Sequence, residues 1–267
     1  FSRKWLIAAS GVLKSLAFLT WFTNQHFYGY LMGFMFWGLG STLRSGAWEA
    51  LLYDLLARAD EKHRFTHHYG RIRALATSGV VIGELMGGLL ITRGFDIVLL
   101  VSAAVPLLAT IPFIILVSDV TKNSEQSPSY TKILLQGVTE TVSNIKVLYI
   151  LLVTTFLLTT FGVYDEFVTP VLFETGFSLA LVAYIAAPLY VAQALGEAMA
   201  GRFTELTIGQ ISALMVIASG CLLVTVAISS PWVPLAIAGY FFLFGLAGTL
   251  FSGLLQRSIE GTSRATI

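Results

Sequence analysis

Eight long apolar stretches, separated by polar segments, recur along this sequence and restrict what it can fold into. They cover residues 5–22, 27–53, 71–92, 95–117, 147–169, 180–203, 211–228 and 232–255. A helix of about 20 apolar residues is long enough to cross a hydrocarbon core of roughly 30 Å. Only 12% of the residues are charged, against about 25% in a soluble domain. The sequence therefore predicts an all-α integral membrane protein with eight transmembrane helices embedded in the lipid bilayer.

The lysines and arginines are distributed unevenly over the segments that join these helices. With the N-terminus inside, 13 of the 16 basic residues lie on the inner side, and only Arg93 lies outside. Because cytoplasmic loops are enriched in positive charge, we expect a multi-pass protein of the cell (inner) membrane. Residue 1 and the long polar loop at 118–146 are then cytoplasmic. Apolar residues at helical spacing in the second half of this loop predict a helix on the membrane surface.

A segment of the second stretch recurs in the eighth. Residues 38–46 read GLGSTLRSG and residues 245–253 read GLAGTLFSG, so six of nine positions are identical. Residues 9–11 and 218–220 share a shorter match, with nearly the same separation. Repeats at a constant separation indicate a repeated architecture, here with a period of six helices.

This period predicts that the chain holds helices three to ten of a twelve-helix, two-bundle protein. Residues 1–117 would form a partial N-terminal bundle of four spans. Residues 118–146 would form the cytoplasmic linker with its surface helix. Residues 147–267 would form a partial C-terminal bundle, again of four spans.

Five glycines mark the third stretch and the residue just before it. They are Gly70, Gly79, Gly83, Gly87 and Gly88. Three of them recur every four residues, at 79, 83 and 87, and on a helix they form one stripe without side chains. Such a stripe lets two membrane helices pack closely. It predicts either a structural packing seam or a hinge-like contact in a transporter.

The order of these glycines resembles a signature of the drug–proton antiporters of the major facilitator superfamily. The signature runs Gly, eight residues, Gly, three residues, Gly-Pro, two residues, Gly-Gly; every glycine is present here, and Glu84 replaces the proline. Gly38 and Gly40 fit part of the family's fourth-helix pattern, with Phe34 in place of its arginine. The chain is similar to the superfamily over essentially its whole length. The resemblance implies a secondary active transporter that works by alternating access of two helical bundles about a central cavity.

Charged side chains inside the predicted helices are the first candidates for the functional site, because each needs a partner or an aqueous cavity. Glu84 is the deepest acid, about 20 Å along its helix from the inner end at 1.5 Å per residue. We expect it to be protonated in one access state. The alternative is a permanently neutral or ion-paired packing residue.

Three more charged residues lie in the first two spans. Lys14, Arg44 and Glu49 predict a charge network that lines the N-terminal half of a cavity. For Glu49, a structural lock near the inner end of the second span is equally compatible with the sequence.

The C-terminal half holds a polar row and an acid at a helix end. Tyr190, Gln193 and Glu197 share one face of the sixth span and predict either a cavity-facing row or hydrogen bonds between helices. Asp165 lies at the outer end of the fifth span. Its position suits an outer gate, a site that attracts cations, or a simply solvated carboxylate.

Motifs for other kinds of chemistry are missing from the sequence. His63 and His67 lie one helical turn apart, as zinc ligands can, but no third ligand is evident, and we expect no metal. No phosphate-binding loop, catalytic triad or CxxC pair occurs, so we expect neither a cofactor nor an enzyme. The net charge of +1 says nothing about nucleic acid, and we expect no nucleic-acid partner. We expect a monomer that binds a small-molecule substrate.

Taken with the resemblance, these features predict proton-coupled export of a small apolar compound or drug, with protons as the coupling ion. The alternative within transport is uptake of a metabolite by proton symport. A membrane-embedded enzyme or a receptor is the alternative from a different class.

Overall fold

The computed structural model describes residues 3–116, 138–139, 141–227 and 232–258. In these residues nine α-helices are defined: α1 (Arg3–Thr23), α2 (Phe27–Arg58), α3 (Phe65–Leu90), α4 (Phe95–Leu116), α5 (Ile145–Gly162), α6 (Val168–Glu174), α7 (Leu179–Met199), α8 (Ile208–Ala227) and α9 (Val233–Ser258). Short 3-10 turns join several of them, and the described residues contain no strand. The all-α prediction is confirmed.

Six segments of the described chain are long and apolar enough to cross a membrane. They are Lys4–Thr23, Lys62–Arg93, Phe95–Pro112, Leu181–Arg202, Ile208–Thr225 and Val233–Ser258. A shorter apolar segment, Val147–Phe156, lies inside α5. Large apolar side chains such as Leu75 and Ile115 are each 74% exposed. Lipid can cover such side chains, and helices suit this environment because their backbone groups are hydrogen-bonded internally.

The fifth predicted span, at 147–169, is interrupted. α5 ends at Gly162, a 3-10 turn follows at Val163–Phe167, and α6 begins at Val168. A glycine weakens a helix interior. Pro170 lies in the first turn of α6, where its missing N–H leaves no intrahelical bond unmade. The expected single helix is therefore two helices that meet at a turn carrying Asp165.

Contacts divide the chain into two compact units. The first holds α1, most of α2 and α4, and the second holds α3 together with α5 to α9. Sequence analysis placed the third span with the N-terminal bundle, but its contacts are with the later helices. The division into bundles remains a prediction, because most of the predicted linker lies outside the described residues. Of its predicted surface helix, residues 138–139 and 141–143 are described, and they are helical.

In the first unit, small residues bring α1 close to its neighbours. A Cβ added at Gly11 would collide with the Thr110 side chain of α4, and one added at Gly40 of α2 would lie 3.0 Å from the Ser10 carbonyl. α4 is a continuous helix through two prolines. The Thr110 hydroxyl donates to the carbonyl of one of them, Pro106, over 2.7 Å.

In the second unit, α9 is the central helix. It packs against α5, α7 and α8, and Ile237, Tyr240, Leu250 and Phe251 are buried along it. α7 and α9 cross closely because a glycine on each faces the backbone of the other. Gly196 meets the Phe242 carbonyl, and Gly245 meets the Gln193 carbonyl. This crossing positions the polar residues of α7.

Candidate functional site

One face of α3 lies against α7 in the second unit. Its residues follow helical spacing and are Gly70, Arg73, Thr77, Glu84 and Gly88. At one end, a Cβ added at Gly70 would collide with the Glu197 carbonyl; at the other, one added at Gly88 would lie 3.1 Å from the Ala183 Cβ. Residue numbers rise along α3 as they fall along α7, so the two helices run antiparallel. Polar residues of both helices meet between these contacts.

Glu197 of α7 is fully buried, at 0% exposure, and both of its carboxylate oxygens are hydrogen-bonded. Arg73 Nη2 donates to Oε1 over 3.0 Å, and Thr77 Oγ1 donates to Oε2 over 2.7 Å. Gln193 Nε2 donates to Oε1 over 3.1 Å. A buried charge needs such partners, because desolvation otherwise makes it costly. Glu197 thus forms hydrogen bonds between α7 and α3, one of the two roles that the sequence left open, whereas the bond from Gln193 lies within α7. A cavity-facing role for the row remains a prediction.

Sequence analysis missed Arg73 and Thr77 as members of this site. Arg73 was counted only as one of the inner basic residues that set the orientation. Its separation of four residues from Thr77 places both side chains on one face of α3, the face that also carries Glu84. Their helical spacing from Glu84, an acid predicted to lie inside the membrane, was therefore the signal that could have identified Arg73 and Thr77.

A second polar cluster lies further along the same pair of helices. Tyr190 Oη of α7 donates to Asp165 Oδ1 over 2.6 Å, so Asp165 is bonded, although it is exposed. The Asp165 charge acts electrostatically on Glu84, which is half-buried. Within the described part of the chain, Glu84 has no hydrogen-bond donor of its own. Glu84 is thus a partly desolvated carboxyl group within electrostatic range of a second acid.

Aromatic rings surround this acidic cluster. The Tyr190 ring contacts Phe241 edge-on, with ring centres 5.2 Å apart. Tyr164, next to Asp165 in the turn, contacts Tyr240 with centres 5.1 Å apart. Through these ring contacts the cluster packs against α9.

The first unit contains a separate cationic pair. The Lys14 ammonium group of α1 lies 4.4 Å from the ring centre of Trp37 on α2, and Arg44 acts on Lys14 electrostatically. The structure therefore brings two members of the predicted network together. Glu49 is not among the charges that act on Lys14, and it interacts with other groups of the chain.

The regular glycine stripe of α3 forms no close contact in the described residues. A Cβ added at Gly79, Gly83 or Gly87 would meet no atom within 4 Å there. The glycines at the contact with α7 are instead Gly70 and Gly88. At 3.6 residues per turn, Gly79 lies on the opposite side of the helix from Gly70. A packing role for the stripe remains a prediction.

The histidines at the start of α3 interact with nearby protein groups. His68 Nε2 lies 2.9 Å from Glu61 Oε2, and Arg64 donates to the other oxygen of Glu61 over 3.4 Å. His67 Nδ1 lies against Gly201, where an added Cβ would be 2.6 Å from it. In the ranges that the structure describes, no group of three potential ligands of this kind could hold a metal ion.

Comparison with known proteins gives a single result about the family. No curated protein and no solved structure is similar enough to count as a match. A family model described as Major Facilitator Superfamily matches residues 1–267. Its members are secondary transporters with several membrane-spanning helices, in keeping with the apolar helices described above. The chain therefore belongs to the major facilitator superfamily.

Proposed function

We propose that this transporter exports a small apolar compound in exchange for protons, and that Glu84 carries the proton. The observation that supports this role is the relationship between Glu84 and Asp165. Asp165 repels a Glu84 carboxylate that is half-buried and has no hydrogen-bond donor in the described residues. A group that gains a proton in one access state and loses it in the other couples proton movement to the conformational change.

The electrostatics assign different tasks to the two acids. In a medium of low dielectric constant, two carboxylates repel each other strongly, and one proton removes that repulsion. The Tyr190 hydroxyl donates a hydrogen bond to Asp165, so Asp165 already has a partner in the protein. Glu84 has no comparable donor and is therefore the carboxyl group that takes the proton. The exchange of compound for proton is completed when the change of access exposes Glu84 to the opposite side of the membrane, where it releases its proton.

The same proposal includes the orientation and the assembly of the protein. We place the N-terminus and the 118–146 loop in the cytoplasm of a cell with an inner membrane, on the evidence of the 13 inner basic residues. We expect the transporter to act as a monomer. Its partners are then a small molecule, protons and the lipid bilayer.

A pH-sensitive dye trapped in liposomes tests the coupling. Full-length protein is reconstituted with the membrane potential clamped by potassium and valinomycin. Three naphthalene probes are added outside: 1-naphthalenesulfonate, neutral 1-naphthalenesulfonamide and 1-naphthylmethyl-trimethylammonium. If the probe enters in exchange for protons, protons leave and the lumen becomes alkaline. If the probe enters together with protons, the lumen becomes acidic. The sign of the change therefore separates export by exchange from the alternative, uptake by proton symport.

Substitution of Glu84 then tests the residue. Glu84→Gln is expected to bind the transported probe as wild type does but to lose the pH change. Glu174→Gln is the matched control, because Glu174 is an exposed carboxyl group at the end of α6. Full proton movement and an unchanged pH profile in Glu84→Gln would contradict the assignment.

A further inference from the structure

We propose that Lys14, together with Arg44 and the ring of Trp37, binds the anionic group of a small organic solute. Both cations lie in the first unit, far from either end of the helices that carry them. The inference goes beyond proton-coupled export, because it concerns the charge of the solute and not the coupling ion. The residues of this site also differ from those of the proposed proton site, Glu84 and Asp165.

The position of the Lys14 side chain is set by Gly40. A Cβ added at Gly40 would lie 3.3 Å from Lys14 Cγ and 3.0 Å from the Ser10 carbonyl. The absence of a side chain at this position therefore leaves room for the aliphatic stem of the lysine between α1 and α2. The stem directs the ammonium group over the Trp37 ring, 4.4 Å from its centre.

One face of α2 presents the groups that surround this ammonium group. Trp37, Gly40 and Arg44 follow spacings of three and four residues, which place them on one side of a helix. Phe18 of α1 supports the Trp37 ring, with ring centres 5.5 Å apart. The result is an aromatic surface at Trp37 with a cation above it and a second cation, Arg44, about two turns further along α2.

The electrostatics of the pair are unfavourable without an anion. Lys14 is partly buried, and the charge that acts on it is the like charge of Arg44. Within the described residues, no carboxylate is among the charges that act on Lys14. Arg44 also interacts with other groups, so Lys14 is the cation that most needs an anion. An anion near both cations adds two attractions that outweigh the one repulsion between them, and such attractions are strong at low dielectric constant.

The chemistry indicates the class of solute. A carboxylate or sulfonate accepts hydrogen bonds from an ammonium and a guanidinium group. The adjacent aromatic ring suits an apolar or aromatic body attached to that group. We therefore infer a small amphiphilic organic anion, whose apolar body corresponds to the apolar compound of the proposed function. The position of Lys14 near the middle of α1 favours a dissolved solute over the headgroup of an anionic lipid.

The test measures binding without a pH gradient, so its result does not depend on proton coupling. Full-length protein in phosphatidylcholine nanodiscs is titrated with 1-naphthalenesulfonate and, separately, with neutral 1-naphthalenesulfonamide. We expect the sulfonate to bind at least about tenfold more tightly, as expected for a charge-assisted contact. Lys14→Met should abolish this preference, and Lys14→Arg should retain it. Lys62→Met, which removes an exposed lysine, should leave it unchanged.

Loss of binding in Lys14→Met cannot be ascribed simply to unfolding, since removal of a charge from a membrane helix favours insertion. Equal affinity for the two probes, or a preference that survives in Lys14→Met, would overturn the proposal. So would the failure of both probes to bind. If phosphatidylglycerol in the nanodiscs displaces the sulfonate while phosphatidylcholine does not, the site is a lipid headgroup site and the proposal is wrong. Loss of proton coupling in Glu84→Gln with the sulfonate preference intact would separate this site from the proton site.

Discussion

Arg73 of α3 and Glu197 of α7 are joined over 3.0 Å, and their side chains differ sharply in exposure, at 46% for Arg73 and 0% for Glu197. The carboxylate is therefore inaccessible to solvent, while the guanidinium group is half in contact with the surroundings. Removal of Arg73 should therefore lower the stability more than removal of the Glu197 charge. An unpaired buried charge is far less favourable than an unpaired exposed one.

The first prediction uses this asymmetry. Arg73→Met should lower the free energy of unfolding by about 1–3 kcal/mol, less than the ~3–5 kcal/mol of a fully buried pair, because Arg73 is half-exposed. Glu197→Gln should cost less, about 1 kcal/mol or below, because it leaves an exposed cation. Thermal unfolding in detergent micelles measures both. Arg71→Met, which removes an exposed arginine two residues away, is the control. A larger effect of Glu197→Gln than of Arg73→Met would refute the prediction.

The second prediction compares two glycines of α3. Gly70→Ala should destabilise the second unit by about 1–3 kcal/mol, because its Cβ would collide with the Glu197 backbone and overpacking has this cost. Gly79→Ala should be neutral or stabilising by up to about 1 kcal/mol, since its Cβ would enter open space and alanine favours the helix. Denaturant-induced unfolding of the two variants gives the comparison. Clear destabilisation by Gly79→Ala would show that the glycine stripe packs against a further helix.

The third prediction concerns the hydrogen bond from Tyr190 to Asp165. Tyr190→Phe removes the donor of a 2.6 Å bond and leaves the ring in place against Phe241. We expect a loss of about 1 kcal/mol in the free energy of unfolding, which is the net value of one hydrogen bond. Tyr149→Phe, at a tyrosine of α5 that is 56% exposed, is the matched control. Equal stability of Tyr190→Phe and wild type would mean that the bond contributes nothing in the membrane.

The fourth prediction addresses the orientation. In a variant without the single cysteine, Cys221→Ala, one new cysteine is introduced by Lys62→Cys and another, separately, by Phe95→Cys. The N-terminus-inside arrangement predicts that a membrane-impermeant maleimide labels Phe95→Cys in intact spheroplasts. Lys62→Cys should react only after permeabilisation, because the same arrangement puts its loop in the cytoplasm. The reverse pattern would invert the assigned orientation.

The membrane class and the approximate extent of the helices followed from the residues alone. Length and hydropathy are local properties, and a helix satisfies its backbone hydrogen bonds within one segment, so each span can be recognised without its neighbours. This is why α1, α3 and α9 lie where the apolar stretches predicted them. The interruption at Gly162 shows the limit, because an apolar run does not reveal where one helix ends and the next begins.

No local sequence pattern showed which helix each helix face packs against. Gly79, Gly83 and Gly87 form the more regular stripe, yet Gly70 and Gly88 make the contacts with α7. Arg73 likewise became part of the site only when α7 brought Glu197 against it. Spacing along one helix shows which residues share a face, but the rotation of that helix and the identity of its neighbour result from packing over the whole fold. The folded chain alone could therefore show which charges meet.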